Sequence, residues 1–464
     1  MISKREPMSS VDTAWLRMES ATNLMMIGVV LILDDPVDIR YLKAVIEERF
    51  LAFERFRQRV ISEDGRYYWE NDPAFDLDHH IHRVALAGDG SVLELQKLAA
   101  DLNSTPLCYT RPLWQVHLVE HYNGGSALIA RIHHCIADGL ALVRVLLSVT
   151  DSASMAQICE PAKTILSPVK TNGHDSLHPA RSILQDSLQF SQELLSESWE
   201  FVRHPQNFLQ LAKQGLAISS ELTRVGIMPP DPSTCLKRRL SGRKRVAWAK
   251  PLNLKHVKDL GRAMGATVND VLLAAATGAL RKYLVRRGDD IANEQIHVAI
   301  PFNLRPLDKP ITTLGNQFGL VILPLPVGIH DPLTRFEQLK TNMHNLKHSH
   351  QAQIFYGLLS ALGKGPHAFE QTALELLSRK ASAVMTNVPG PADALYLAGS
   401  RLRQPMFWVP QSGEVGVGLS IFSYNGTVQF GLIADKSLIP DPGTVMNDFA
   451  LAYQELENLA MAYG

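Results

Sequence analysis

Ser126 to Val149 constrains this chain more than any other stretch. Ser126 to Ile132 (SALIARI) is an apolar run suited to a buried strand, and Leu140 to Val149 (LALVRVLLSV) is an apolar-rich run suited to a helix. Between them the chain reads His133-His134-Cys135-Ile136-Ala137-Asp138-Gly139, so two histidines, a carboxylate and a glycine fall where a strand turns into a helix. Such a junction is a common place to present a reactive side chain. Histidine exchanges a proton near neutral pH, its ordinary pKa being roughly 6.5. His134 and Asp138 are spaced so that a helical turn brings them to one face. Gly139 is expected to adopt backbone angles that other residues resist and to leave room for a close neighbour.

The flanking sequence mounts this junction on a hairpin. Gln115 to His121 alternates as a strand does, and Asn123-Gly124-Gly125 is a turn signal that folds it back onto the strand ending at His133. Upstream, Ser9 to Asp12 opens a short helix, Met25 to Leu33 reads as a buried strand, and Asp38 caps an amphipathic helix. Downstream, Thr267 starts a helix with Asn269 and Asp270 in its first turn, where free N–H groups and the helix dipole favour a carboxylate. Val415 to Tyr424 and Thr427 to Ala434 form a second hairpin around Asn425-Gly426. Hairpins mixed with crossover helices predict an α+β class, a mixed-sheet α/β sandwich, rather than a doubly wound parallel fold.

The chain has 464 residues, room for two or three domains, and 46% hydrophobic content, enough for a large core. The boundaries read as an N-terminal domain over 1–155, a linker and amphipathic helical connector over 156–240, and a C-terminal domain over 241–464. In the connector, Leu184, Leu188, Leu195, Trp199 and Val202 mark one face of a long helix broken at His204-Pro205. The connector bridges the two domains, or one of its helices rests on a lipid surface. Arg238, Arg239, Arg243, Lys244 and Arg245 form a basic run that reads either as a solvated loop or as a contact for cofactor phosphates.

Several function classes are disfavoured. Lys+Arg and Asp+Glu both number 46, so no broad basic surface for nucleic acid is indicated. The four cysteines, Cys108, Cys135, Cys159 and Cys235, form no CxxC pair. His79, His80 and His82 raise the question of a metal, but strand alternation splits them between faces and no further ligand is evident, so they read as solvated. His344 and His348 lack the glutamate of HExxH and read as surface residues. No metal is expected. The first residues lack the apolar core of a signal peptide, and Met25 to Leu33 is about half the length of a spanning helix. A cytoplasmic protein, soluble or peripherally attached, is expected.

The form HHxxxDG resembles the active-site motif of the CoA-dependent acyltransferase superfamily. Taken in order with Pro7 to Asp12, Pro112-Leu113-Trp114, Asn269-Asp270, Ala279 to Leu284, Asn316 to Gly319 and Thr386-Asn387-Val388-Pro389-Gly390-Pro391, it resembles the bacterial wax ester synthase/acyl-CoA:diacylglycerol acyltransferase family over nearly the whole chain. Pro301 to Arg305 departs from the more usual PVSLR, and Thr386 replaces a usual serine. The resemblance implies two chloramphenicol-acetyltransferase-like domains with the active site in a channel between them. It implies direct transfer of a long-chain acyl group from acyl-CoA, a co-substrate rather than a resident cofactor, to a fatty alcohol or diacylglycerol.

In that reading His134 is the general base and returns the proton to the departing sulfur. His133 supports the loop, and Asp138 with Gly139 fixes the turn, Arg305 being a candidate partner of Asp138. Asn269 donates toward the reacting oxygens, and Asp270 orients it or the helix. Gln317, Phe318, Gly319, Asn387, Pro389 and Gly390 are the candidate substrate-binding residues. Contact with a membrane or lipid inclusion is expected from the insolubility of the substrates and from the family. Two rival readings are a condensation-type domain fed by a carrier-protein thioester and a catalytically weak lipid-binding protein. Oligomeric state, chain length and alcohol preference are not encoded in any motif found.

Overall fold

The strand Met26–Leu33 is apolar and buried along its whole length, so it needs cover on both faces and a strand on each side. The computed structural model describes residues 5–88, 90–152, 228–303, 314–316, 318–347, 351, 355–356 and 378–463. In it Met26–Leu33 pairs antiparallel with Gly125–His133, Met26 opposite His133. Gly125–His133 in turn pairs with Trp114–Tyr122 through the predicted hairpin. Asn123 and Gly124 have φ of 50° and 82°, the left-handed geometry that a tight hairpin demands and that Asn-Gly supplies at little cost.

The other neighbour of Met26–Leu33 comes from far along the chain. Ser400–Trp408 pairs with it antiparallel, and Leu395–Leu397 extends the same seven-stranded sheet. The expected boundary, which assigned all of 241–464 to the C-terminal domain, is therefore crossed: residues 395–408 belong to the N-terminal sheet. Leu395, Leu397 and Leu402 are buried in the N-terminal core. A second seven-stranded sheet contains Ile296–Asn303, Phe318–Leu325, Ala383–Pro389 and the hairpin Val417–Tyr424/Thr427–Asp435, which turns at Asn425 and Gly426 with φ of 45° and 73°. Parallel and antiparallel pairs mix in both sheets, as expected for the α+β class. Most of the expected connector, 156–240, lies outside the described residues.

Val268–Arg286 is the central helix of the C-terminal core. Thr267 and Asp270 close its first turn as a capping box. It packs on the Pro442–Tyr463 helix, and Gly278 lets the two approach: a Cβ there would lie 2.7 Å from that of Ala452. Among the described residues no single helix is long and apolar enough to cross a membrane.

Two surface assignments fail. His80 is buried, stacked on Trp114 at 4.3 Å, with Nδ1 2.8 Å from the Trp114 carbonyl. Lys244 of the basic run is buried too, its Nζ donating to Asn23 at 2.7 Å and Gln411 at 3.2 Å, and burial pushes its pKa down to about 8. Both residues sit on strands or turns whose inner face is set by distant neighbours, which local charge cannot reveal. His344 is exposed, and His348 lies outside the described residues.

Replacing Gly278 by valine should overpack this helix pair. The expected loss is about 1–3 kcal/mol, read as a lower urea midpoint at unchanged slope.

Candidate active site

His134 follows directly on the last residue of the strand Gly125–His133, and its own N–H donates to the Met25 carbonyl at 2.7 Å. The turn is thus pinned on two sides before the helix Gly139–Val149 begins. Asp138 caps that helix, its Oδ1 accepting from Ala141 N–H at 2.9 Å. The expectation that a helical turn aligns His134 with Asp138 is corrected, because the helix starts only at Gly139. The expectation for Gly139 is corrected as well. Its φ is not positive, and an added Cβ would meet Val388 Cγ2 at an ordinary 3.9 Å.

The His134 ring is stacked on Trp15 at 4.2 Å and 18°, with Phe318 at 5.5 Å on a tilt. It is 3% exposed, and among the described residues its buried Nδ1 has no hydrogen-bond partner. Burial is the main influence on its proton affinity and pushes the pKa down to about 4, against the opposing pull of the Asp138 charge. The imidazole is therefore neutral near pH 7. It borders a cavity of about 890 Å³, its open mouth included, lined by Trp15, Phe318, Leu320, Ala299 and Val384 among others.

His133 faces another way. Its Nδ1 accepts from Cys135 N–H at 3.1 Å, which places the ring proton on Nε2, 3.2 Å from Glu19 Oε2. Burial pushes the Glu19 carboxyl up, but hydrogen bonds from His133, Tyr109 and Met25 N–H outweigh it and hold the carboxyl below its usual range. Cys135 is wholly buried, and burial raises its thiol well above the usual value, which disfavours a thiolate nucleophile.

Sequence reasoning missed the groups behind His134. Asp12 and Trp15 lie one turn apart on the helix Ser10–Arg17. Asp12 Oδ1 accepts from Asn316 N–H at 3.1 Å and from Asn316 Nδ2 at 2.8 Å, and the same amide donates to the His134 carbonyl at 2.8 Å. Gly315, with φ of 124°, turns the chain so that Asn316 meets Asp12. The Pro7 to Asp12 and Asn316 to Gly319 motifs contained Asp12 and Asn316 without showing their purpose, and Trp15 lies in neither.

The other expected site residues separate into two groups. Asn269 and Asn387 are joined side chain to side chain, and Val388 beside Asn387 touches the Gly139 position, so three distant motifs converge here. Asp270 Oδ2 accepts from Thr267 N–H at 2.9 Å and from its hydroxyl at 2.7 Å, a capping role. Phe318 borders the cavity. Gly319 pairs with Phe302 across the sheet. Pro389 and Gly390 are not on the cavity wall: Pro389 pairs with Ser423, and a Cβ on Gly390 would lie 2.3 Å from the Ser423 carbonyl oxygen. Gly390 is thus a packing requirement. Gln317 and Arg305 lie outside the described residues, and no group of three metal-ligating side chains occurs among the described ones.

The family model described as the wax ester synthase/diacylglycerol acyltransferase catalytic domain matches residues 8–272, more than half of the chain. This chain belongs to that family. The model of the family's C-terminal domain matches residues 314–457. A probable diacylglycerol O-acyltransferase of Mycobacterium tuberculosis is 25% identical over 450 residues, covering 94% of this chain and 92% of that protein. A second from the same organism is 27% identical, covering 85% and 84%. Among solved structures, the wax ester synthase/diacylglycerol acyltransferase of Marinobacter aquaeolei superposes with a TM-score of 0.68 at 21% identity, covering 98% of this chain and 99% of that one. The starter condensation domain of rhizomide synthetase gives 0.58 at 14% identity, covering 98% and 94%, a likeness of fold alone.

The depressed His134 pKa links pH to stability. The folded value is near 4, and the unfolded value is roughly 6.5. Between these values the unfolded chain takes up the proton that the native ring refuses, so stability falls as pH falls. His134→Asn lacks this contribution. Relative to wild type it should gain on the order of 2 kcal/mol on going from pH 7 to pH 5, measured by urea unfolding at each pH.

Proposed function

We propose that this protein transfers a long-chain fatty acyl group from acyl-CoA to the hydroxyl of a fatty alcohol or diacylglycerol, with His134 as general base. The observation that carries this reading is a buried, neutral imidazole on the wall of an apolar cavity. The family and the names of the mycobacterial relatives, probable diacylglycerol O-acyltransferases, support the same chemistry.

In the reaction the alcohol oxygen attacks the thioester carbonyl as His134 takes the hydroxyl proton. Collapse of the tetrahedral intermediate breaks the carbon–sulfur bond, and the imidazolium returns the proton to the departing CoA thiolate. The stacked indole of Trp15 favours the ring in its cationic form, so this contact strengthens as the proton arrives. The joined amides of Asn269 and Asn387 are the proposed donors to the developing oxyanion. Asn316, tied to Asp12, fixes the backbone carbonyl of His134 and so the ring's position. Asp138 and Gly139 set the turn, and His133 braces it through Glu19. Two apolar substrates entering from lipid fit a cytoplasmic protein attached peripherally to a membrane or lipid inclusion.

CoA release from palmitoyl-CoA with hexadecanol or diacylglycerol tests the assignment. His134→Ala should lose roughly 10²–10⁴-fold in turnover with its unfolding midpoint kept; full activity would end the general-base role. The acid limb of kcat/KM should fall near pH 4 to 5, set by the ring's value of about 4, rather than near 6.5. Asp138→Ala should cost about 1 kcal/mol of stability through loss of the helix cap, seen by thermal unfolding.

A further inference from the structure

We propose that the His297–Asp231 pair closes the far end of the alkyl channel and sets the length of chain it accepts. The proposal rests on the acyl-transfer reading above, because it takes the cavity beside His134 to hold an alkyl chain.

The register of two strands places the pair. In Ile296–Asn303 and Phe318–Leu325 the opposed residues are Asn303 and Phe318, Pro301 and Leu320, Ala299 and Ile322, then His297 and Pro324. Opposed residues share a face, and alternate residues along a strand share it too. Phe318, Leu320, Ile322, Pro301 and Ala299 all line the cavity, so this is the channel face. His297 is the next residue on it, beyond Ala299. Phe318 at the other end lies against the His134 ring. From Phe318 to the level of Pro324 is six strand residues, or about 20 Å. A zigzag chain with C–C bonds of ~1.5 Å advances about 1.25 Å per carbon, so this span suits about sixteen carbons.

The far end is polar and tightly held. Asp231, its side chain wholly buried, takes the His297 ring Nδ1 at 2.6 Å, His297 N–H at 2.9 Å and the Ser382 hydroxyl at 2.5 Å. The segment bearing the cavity residues Ser378 and Ala381 is tied to the same cluster. Asp231 N–H donates to the Arg379 carbonyl at 3.0 Å, and Lys237 Nζ donates to the carbonyls of Ser378 and Ala381 at 2.6 and 2.9 Å. A methyl terminus arriving here meets an imidazole that cannot swing aside without abandoning a buried carboxylate. Burying further methylenes against that pair forfeits its polar contacts, so chain growth stops being favourable.

The test is a binding series without turnover: saturated acyl-CoAs from octanoyl to eicosanoyl in the absence of alcohol, and the matching 1-alkanols in the absence of donor, all below their aggregation limits. Affinity should rise about fourfold per carbon where each methylene is buried, then break near sixteen carbons in the series whose chain occupies the channel. His297→Ala should move the break to longer chains. His297→Asn, which keeps an N–H for Asp231, should do the same in smaller measure and serves if the alanine variant does not fold. Ala299→Phe should move the break to shorter chains. A break that stays in place in both series for the folded His297 variants, while Ala299→Phe shifts it, overturns the proposal and leaves the channel reading intact. If Ala299→Phe shifts neither series, the channel does not hold the chain, and the proposal falls with that reading.

Discussion

Packing of the His134 imidazole, stacked on Trp15 and edged by a tilted Phe318, is the contact on which the rest of the site depends. The two aromatic residues come from opposite halves of the chain, one from the first helix and one from a strand of the second sheet. They exclude water from the ring, and removal of water disfavours the charged form. A neutral imidazole near pH 7 results, although the Asp138 charge pulls the other way. Asp138 caps the following helix. In the proposed reaction the motif separates two tasks: the histidine does chemistry and the aspartate keeps its loop in place.

That division needs a scaffold in which neither half moves independently. Ser400–Trp408 supplies it by completing the N-terminal sheet from the C-terminal half. The Asn316 amide spans the same junction, joined to Asp12 at one end and the His134 carbonyl at the other. Buried Lys244 is a third tie, reaching Asn23 and Gln411. The cavity thus lies between elements locked by backbone pairing and buried polar contacts.

Much of this was legible in the residues. The strand–turn–helix around His134 follows from two apolar runs with polar residues between them, and both hairpins follow from Asn-Gly pairs able to adopt positive φ. The capping box at Thr267 and Asp270 is local and readable, although it shows Asp270 to be a helix-start residue. The exchange of Ser400–Trp408 into the other sheet was not legible, because periodicity reports which face of a strand is buried and not which strand lies beside it. The Asp12–Asn316 bond joins residues 304 positions apart and leaves no local pattern. Glu19, His80 and Lys244 were misjudged or overlooked because polar side chains look solvated until their buried partners are known.

The sequence by itself determined the secondary structure around the motif and the family resemblance, and it singled out His134 as the candidate, since each rests on residue type and short-range spacing. Tertiary structure alone decided that this histidine is dry and neutral, that it shares a cavity with the second sheet, and that Gly390 serves packing while Phe318 borders the cavity. The reason is that proton affinity and access to a cavity depend on the density and polarity of whatever packs against a group. Those neighbours are brought together by long-range folding, which no short window of sequence contains.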